Sequence, residues 1–173
     1  MGAGEVTAAA VDAGPLIHWA EINALPLLRI FDTLHIPDAV WNETVEHGRV
    51  PARNILTSTT VQRYTLSPSA VEQLIRDHSL EELHIGELEC LCLCKQIGVS
   101  IVLTDDLAAR DAAKRLSIVP VGSLGIVVRA CRLGHVPLSE AERHLVDLYD
   151  MSSLFVTRAI VELAIEQLRR QSA

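Results

Sequence analysis

Short apolar runs that stop at acidic residues alternate along this chain with segments of helical periodicity, and no other feature limits the fold as much. VTAAAV (6–11) is closed by Asp12, and VSIVLT (99–104) is closed by Asp105 and Asp106. A run that is apolar on both faces is a strand covered from both sides, as in a parallel sheet whose crossovers are helices. Strand twist makes those crossovers right-handed. The order of segments therefore predicts an α/β fold: a three-layer α/β/α sandwich around a mainly parallel sheet.

Local punctuation predicts the remaining elements. Gly14-Pro15 suits a turn, and 16–31 has helical spacing, with Pro26 marking a break or the first turn of a second helix. A strand is expected over 33–36, then a helix with Pro37 in its first turn and Gly48 at its end. Residues 49–58 have the mixed pattern of a loop, and 59–66 suit a strand with β-branched residues. Ser67-Pro68 opens a helix, and 86–98 forms a largely buried one. An Ala-rich helix over 106–116, a short run at 117–121 and a helix ending at Gly134 complete the alternation. Beyond Pro137, two helical stretches at about 138–171 place Leu145, Leu148, Ile160, Val161 and Leu168 on faces that cover the sheet or a partner chain. No repeat or low-complexity linker interrupts the 173 residues, which suit a single domain over 1–173.

Composition bounds the function. Apolar residues make up 49% of the chain and aromatics only 3%, so the core is built from Leu, Val, Ile and Ala, and disorder is disfavoured. A formal charge of −7 argues against binding nucleic acid through a broad basic face, while leaving open nucleic acid held through bound cations. Cys90, Cys92, Cys94 and Cys131 contain no CxxC pair, which disfavours a zinc knuckle or disulfide framework. Cys90 and Cys94 share a helical face and suit small apolar filling. The N-terminus lacks a basic leader pattern and the apolar runs break before ~18 residues, so a soluble cytoplasmic protein without a membrane span is expected.

In an open parallel sheet, the carboxyl ends of the strands converge on the edge where ligands bind. Asp12, Asp105 and Asp106 fall there by position, and Glu43 and Glu87 can join them from helix starts. Acids at helix N-termini also favour the macrodipole without any catalytic purpose, and Glu87 and Asp106 fit that description too. Several convergent carboxylates raise one another's pKa and so call for a cation. An all-oxygen set suits Mg²⁺ or Mn²⁺, and the chemistry such ions promote is phosphodiester hydrolysis.

VDAGPLIHWA, PDAVWNE and GELECLCLCKQIGVSIVLTDDLAAR, in that order and spacing, resemble the PIN-domain nucleases, including the branch close to VapC-type toxins. VPVGSLGIVVRACRLGHV resembles the Gly-Thr-Leu-Gly segment and basic helix of one sub-branch. The resemblance spans most of the chain and implies a doubly wound α/β/α sandwich. It also implies a Mg²⁺- or Mn²⁺-dependent ribonuclease whose metal-binding acids are Asp12, Glu43, Glu87 and Asp105, with Asp106 an extra ligand or a helix cap. A toxin role would add an antitoxin protein as partner. The family usually carries Ser or Thr after its first Asp, whereas this chain has Ala13 and Gly14, so a hydroxyl is missing.

Arg110 with Lys114, and Arg129 with Arg132, can each share a helix face and track an RNA backbone, although solvated faces explain them as well. Ser123 suits either a phosphate or bound-water contact or an N-cap. His18 lies more than a turn beyond Asp12 and is expected to be a surface or core residue, not a base. Against the nuclease stand a catalytically weak PIN-like module that binds RNA or protein, favoured by the missing hydroxyl, and a phospho-accepting receiver, which lacks the necessary acidic pair and late Lys. The apolar surface of the C-terminal segments predicts a homodimer.

Overall fold

The computed structural model describes residues 7–172. Five strands, β1 (Ala8–Val11), β2 (Thr33–Pro37), β3 (Thr60–Tyr64), β4 (Ile101–Leu103) and β5 (Val119–Val121), form one sheet in the order β3-β2-β1-β4-β5. All four pairings are parallel, with Ala10 opposite both His35 and Val102. The chain winds outward from β1 to β3, returns to β4 on the other side of β1 and continues to β5. The order reverses between β1 and β4, so a crevice opens at the carboxyl ends of those two strands. Val6, expected to start the first strand, lies outside the described residues.

Helices cover the sheet as the alternation predicts. They are α1 (Ala13–Glu21), α2 (Asp38–Trp41), α3 (Ala52–Leu56), α4 (Pro68–His78), α5 (Ile85–Ile97), α6 (Leu107–Arg115), α7 (Ser123–Arg132), α8 (Leu138–Met151) and α9 (Arg158–Ser172). Within α5, eight residues are buried, including Cys90, Cys92 and Cys94, and the helix stops at Gly98 in a left-handed C-cap. The thiol of Cys90 points at the carbonyl of Val11 at 3.4 Å, so this cysteine fills space between α5 and β1.

Several local expectations are corrected. Gly14-Pro15 forms no turn; both residues lie in the first turn of α1, where a proline lacks only an N–H that has no helical partner. Within 49–58, the short helix α3 replaces the expected loop. Pro37 ends β2 and caps α2 instead of entering its first turn. Val161 and Leu168 of α9 are buried, but Ile160 is 49% exposed, so α9 turns a narrower apolar face to the core than the pattern implied. No helix among the described residues is long and apolar enough to cross a membrane.

Candidate active site

The crevice between β1 and β4 is a cleft of about 340 Å³, and Asp12, Glu43, Glu87, Asp105 and Asp106 all line it. Asp12 follows β1 directly and caps α1: its Oδ1 accepts the Ala13 N–H at 2.8 Å. Its own N–H donates to the carbonyl of Leu103 at 2.9 Å, which fixes Asp12 beside the end of β4.

Glu87 sits in the first turn of α5, where Oε2 accepts the His84 N–H at 2.9 Å in a capping box. Glu43 is exposed on a π-helical turn, Asn42–Glu46, that prolongs α2. Glu89 of α5 accepts the Ala39 N–H at 2.9 Å, tying the start of α2 to α5. Gly86 lets the acids crowd together. A Cβ placed on it would stand 3.4 Å from Oδ1 of Asp12 and 3.7 Å from Oε2 of Glu43.

Asp105 is clamped at three points. Oδ1 accepts the Ser123 N–H at 2.6 Å; Oδ2 accepts the Ser123 hydroxyl at 2.6 Å and faces Nδ1 of His18 at 2.8 Å. Asp106 caps α6, accepting the Ala109 N–H at 2.8 Å, while remaining exposed at the rim.

Burial, opposed by the Ala13 N–H and reinforced by Glu87, pushes the Asp12 carboxyl up to about 6. Burial likewise raises Glu87, against the pull of the His84 N–H and with the push of Asp106 and Glu43. No three His, Cys, Asp or Glu side chains among the described residues converge closely enough to cage a metal by themselves. Mg²⁺ seldom asks for such a cage, since one or two carboxylates and several waters usually hold it. A buried carboxylate that resists ionisation, with two more acids beside it, fits a hard divalent cation.

A family model, DUF3368, described as a PIN domain, matches residues 8–170, nearly the whole chain. This chain belongs to the PIN-domain family. Comparisons with curated proteins and with solved structures give no match. PIN domains are generally nucleases, and the acidic cleft at the sheet edge is where such chemistry would sit.

A hydroxyl reaches Asp12 from the residue that follows β4. The hydroxyl of Thr104, itself 1% exposed, donates to Oδ2 of Asp12 at 3.1 Å. A hydroxyl residue placed directly before Asp105 was the signal in the sequence, but only the pairing of β1 with β4 gives it that meaning. His18 is also corrected: it lines the cleft and bonds Asp105. Its signal was its place one turn after Gly14, which lies between the two groups: a Cβ there would stand at ordinary contact distance, 3.5 Å from the His18 ring and 3.7 Å from Oδ2 of Asp105.

The expected nucleic-acid contacts separate. Arg110 lies near Asp105 without being among the residues that line the cleft: a Cβ on Gly122 would lie 2.6 Å from its Nη1 and 3.1 Å from Oδ1 of Asp105. Ser123 is completely buried and directs its hydroxyl to Asp105, with Gly122 and not Ser123 at the N-cap of α7. Lys114 is exposed beside Asp111 at 3.7 Å. Arg129 stacks over Phe31 at 5.6 Å, and Phe31 precedes β2, so this arginine belongs to the opposite edge of the sheet from the cleft.

Proposed function

We propose that the protein is a Mg²⁺- or Mn²⁺-dependent endoribonuclease of the VapC-like branch, formed as one PIN-like domain along the chain. One observation carries this reading: acids from four separate segments share a cleft at the switch point of the sheet, and the most buried of them, Asp12, is held near pKa 6. Asp12, with Glu87, Glu43 and Asp105 around it, would hold the cation. When bound, such an ion lowers the pKa of an attacking water and neutralises charge developing on the phosphodiester.

The chain's own groups orient these ligands. Ala13 N–H and the Thr104 hydroxyl fix both oxygens of Asp12. Ser123 and His18 fix Asp105. Arg110, beside Asp105, offers a guanidinium to a phosphate oxygen. The Thr104 hydroxyl on Asp12 supports the active reading over a catalytically weak RNA- or protein-binding module. A toxin role with an antitoxin partner, action in the cytoplasm and a homodimer belong to the same proposal. Exposed Met151 and Leu163, 62% and 64% accessible, offer apolar surface for a second copy.

Incubation of an end-labelled RNA pool with Mn²⁺, with excess EDTA, and with the Asp12→Asn variant tests the activity. Cleavage only by wild type with metal is expected. Equal cleavage in EDTA, or by the variant, overturns the reading.

A further inference from the structure

The segment 152–157 between α8 and α9 borders the acidic cleft through Ser153, Leu154 and Phe155. Its residues alternate as an extended chain does: Ser152, Leu154 and Val156 are half-buried, while Ser153, Phe155 and Thr157 are exposed. Leu154 and Val156 pack against the core on either side of Phe155. Ser153 donates its N–H and its hydroxyl to Oε2 of Glu21, at 2.7 and 3.0 Å, and Leu154 N–H donates to the Ser152 hydroxyl at 3.2 Å. The backbone is thus tied to α1, and the phenyl ring, 101% exposed, is held outward. The chain's other phenylalanine, Phe31, is wholly buried.

We propose that Phe155 is a stacking platform for a nucleobase next to the phosphate bound in the cleft; this rests on the ribonuclease reading above. The cleft, of about 340 Å³, opens to solvent beside this segment. A phosphodiester seated among the acids at its floor leaves a neighbouring nucleotide at the rim, part of which Phe155 forms. That rim is acidic and repels the sugar–phosphate backbone wherever no cation intervenes. An uncharged base face escapes the repulsion and stacks on an aromatic ring regardless of base identity. Nothing in the fold requires the ring to be aromatic, because Leu154 and Val156 make the core contacts of this segment.

The test uses a short single-stranded RNA carrying 2-aminopurine, titrated in Ca²⁺ with its integrity checked on a gel, against wild type, Phe155→Ala and Phe155→Trp. Stacking predicts quenched fluorescence with wild type and with the Trp variant. It predicts loss of quenching and binding weakened about ten-fold or more with the Ala variant. Under Mn²⁺ turnover, Phe155→Ala should raise KM and leave kcat nearly unchanged. All three proteins should melt at the same temperature, since the ring is outside the core. Wild-type binding and KM retained in Phe155→Ala overturn the platform while leaving the nuclease reading intact. Quenching in Ca²⁺ together with no cleavage in Mn²⁺ overturns the nuclease reading and supports the platform. A halved mass of Phe155→Ala in light scattering, with unchanged RNA affinity, assigns the ring to a contact between copies and overturns the proposal.

Discussion

The Thr104 hydroxyl meets Oδ2 of Asp12 at 3.1 Å across 92 residues of sequence, joining the ends of β1 and β4 inside the acidic cleft. The same oxygen of Thr104 receives the Asp106 N–H at 3.3 Å, so a single buried side chain aligns the acids after both strands.

Replacing Thr104 by Val keeps the shape and removes the donor to a carboxylate. Hydrogen bonds to charged groups contribute about 1.5–3 kcal/mol, so a loss of cleavage of about ten-fold or more is expected. Without the donor, Asp12 ionises less readily, and the acid limb of the pH–rate profile should move to higher pH. Thr104→Ser should restore both rate and profile. A Val variant with wild-type rate and profile would leave the hydroxyl without a role in the site.

Asp12 gives metal-free stability a defined pH dependence. Its pKa is about 6 in the folded chain against 3.8 as the ordinary value. Between those values the folded chain keeps a proton that the unfolded chain has released, so this group's contribution falls as pH rises, and the full cost is present above about pH 6. The gap corresponds to about 3 kcal/mol at most. Asp12→Asn cannot ionise and should exceed wild type by on the order of 1 kcal/mol at pH 7.5 in EDTA, with the difference shrinking toward pH 4. Asp38, held low by Thr65 and Arg63, and Glu142, held low by Arg169, favour folding at higher pH instead, but they act equally in both proteins and cancel. Urea unfolding from pH 4 to 8 measures the difference; one that does not change with pH rules out the buried-charge account.

Ser123 should matter through Asp105 alone. Ser123→Ala removes the hydroxyl at 2.6 Å but leaves the backbone N–H in place. We expect about 1–2 kcal/mol of destabilisation and a fall in kcat with little change in KM. His18→Ala should behave similarly, and His18→Asn, whose amide can occupy the Nδ1 position, should recover most of the loss. Raised KM with normal kcat in Ser123→Ala would place Ser123 in direct contact with substrate instead.

Gly122→Ala tests Arg110 without removing it. The backbone at Gly122 is ordinary for any residue (φ −84°), so strain is not the issue. The new methyl would stand 2.6 Å from Nη1 of Arg110 and 3.1 Å from Oδ1 of Asp105, so the flexible guanidinium must move away while the carboxylate gives by a few tenths of an ångström, and the Arg110→Ala comparison separates the two effects. RNA binding should weaken about as much as in Arg110→Ala, with a shallower salt dependence and a nearly unchanged melting temperature. Normal affinity in both variants would exclude Arg110 from phosphate contact.

Much of this PIN domain is dictated by local chemistry, and that part was legible from the residues. Apolar runs ending in acids become parallel strands because only a two-sided cover satisfies them. Asp106 and Glu87 cap helices, and Gly98 ends one, because backbone groups at helix ends need partners within a few residues. Once the sheet is parallel, its carboxyl edge collects Asp12, Asp105, Asp106 and the helix-borne Glu43 and Glu87 with no further information. What packing alone decides is which distant side chain completes which acid. Thr104 reaches Asp12 because β1 pairs with β4, and His18 faces Asp105 because α1 starts directly after Asp12 beside the end of β4. Arg129 turns to Phe31 instead of to the cleft, and Phe155 reaches its rim, because α7 and the α8–α9 linker settle on the core in one orientation. Those outcomes depend on rotations and contacts between elements far apart in sequence, and helical or strand periodicity carries no information about them.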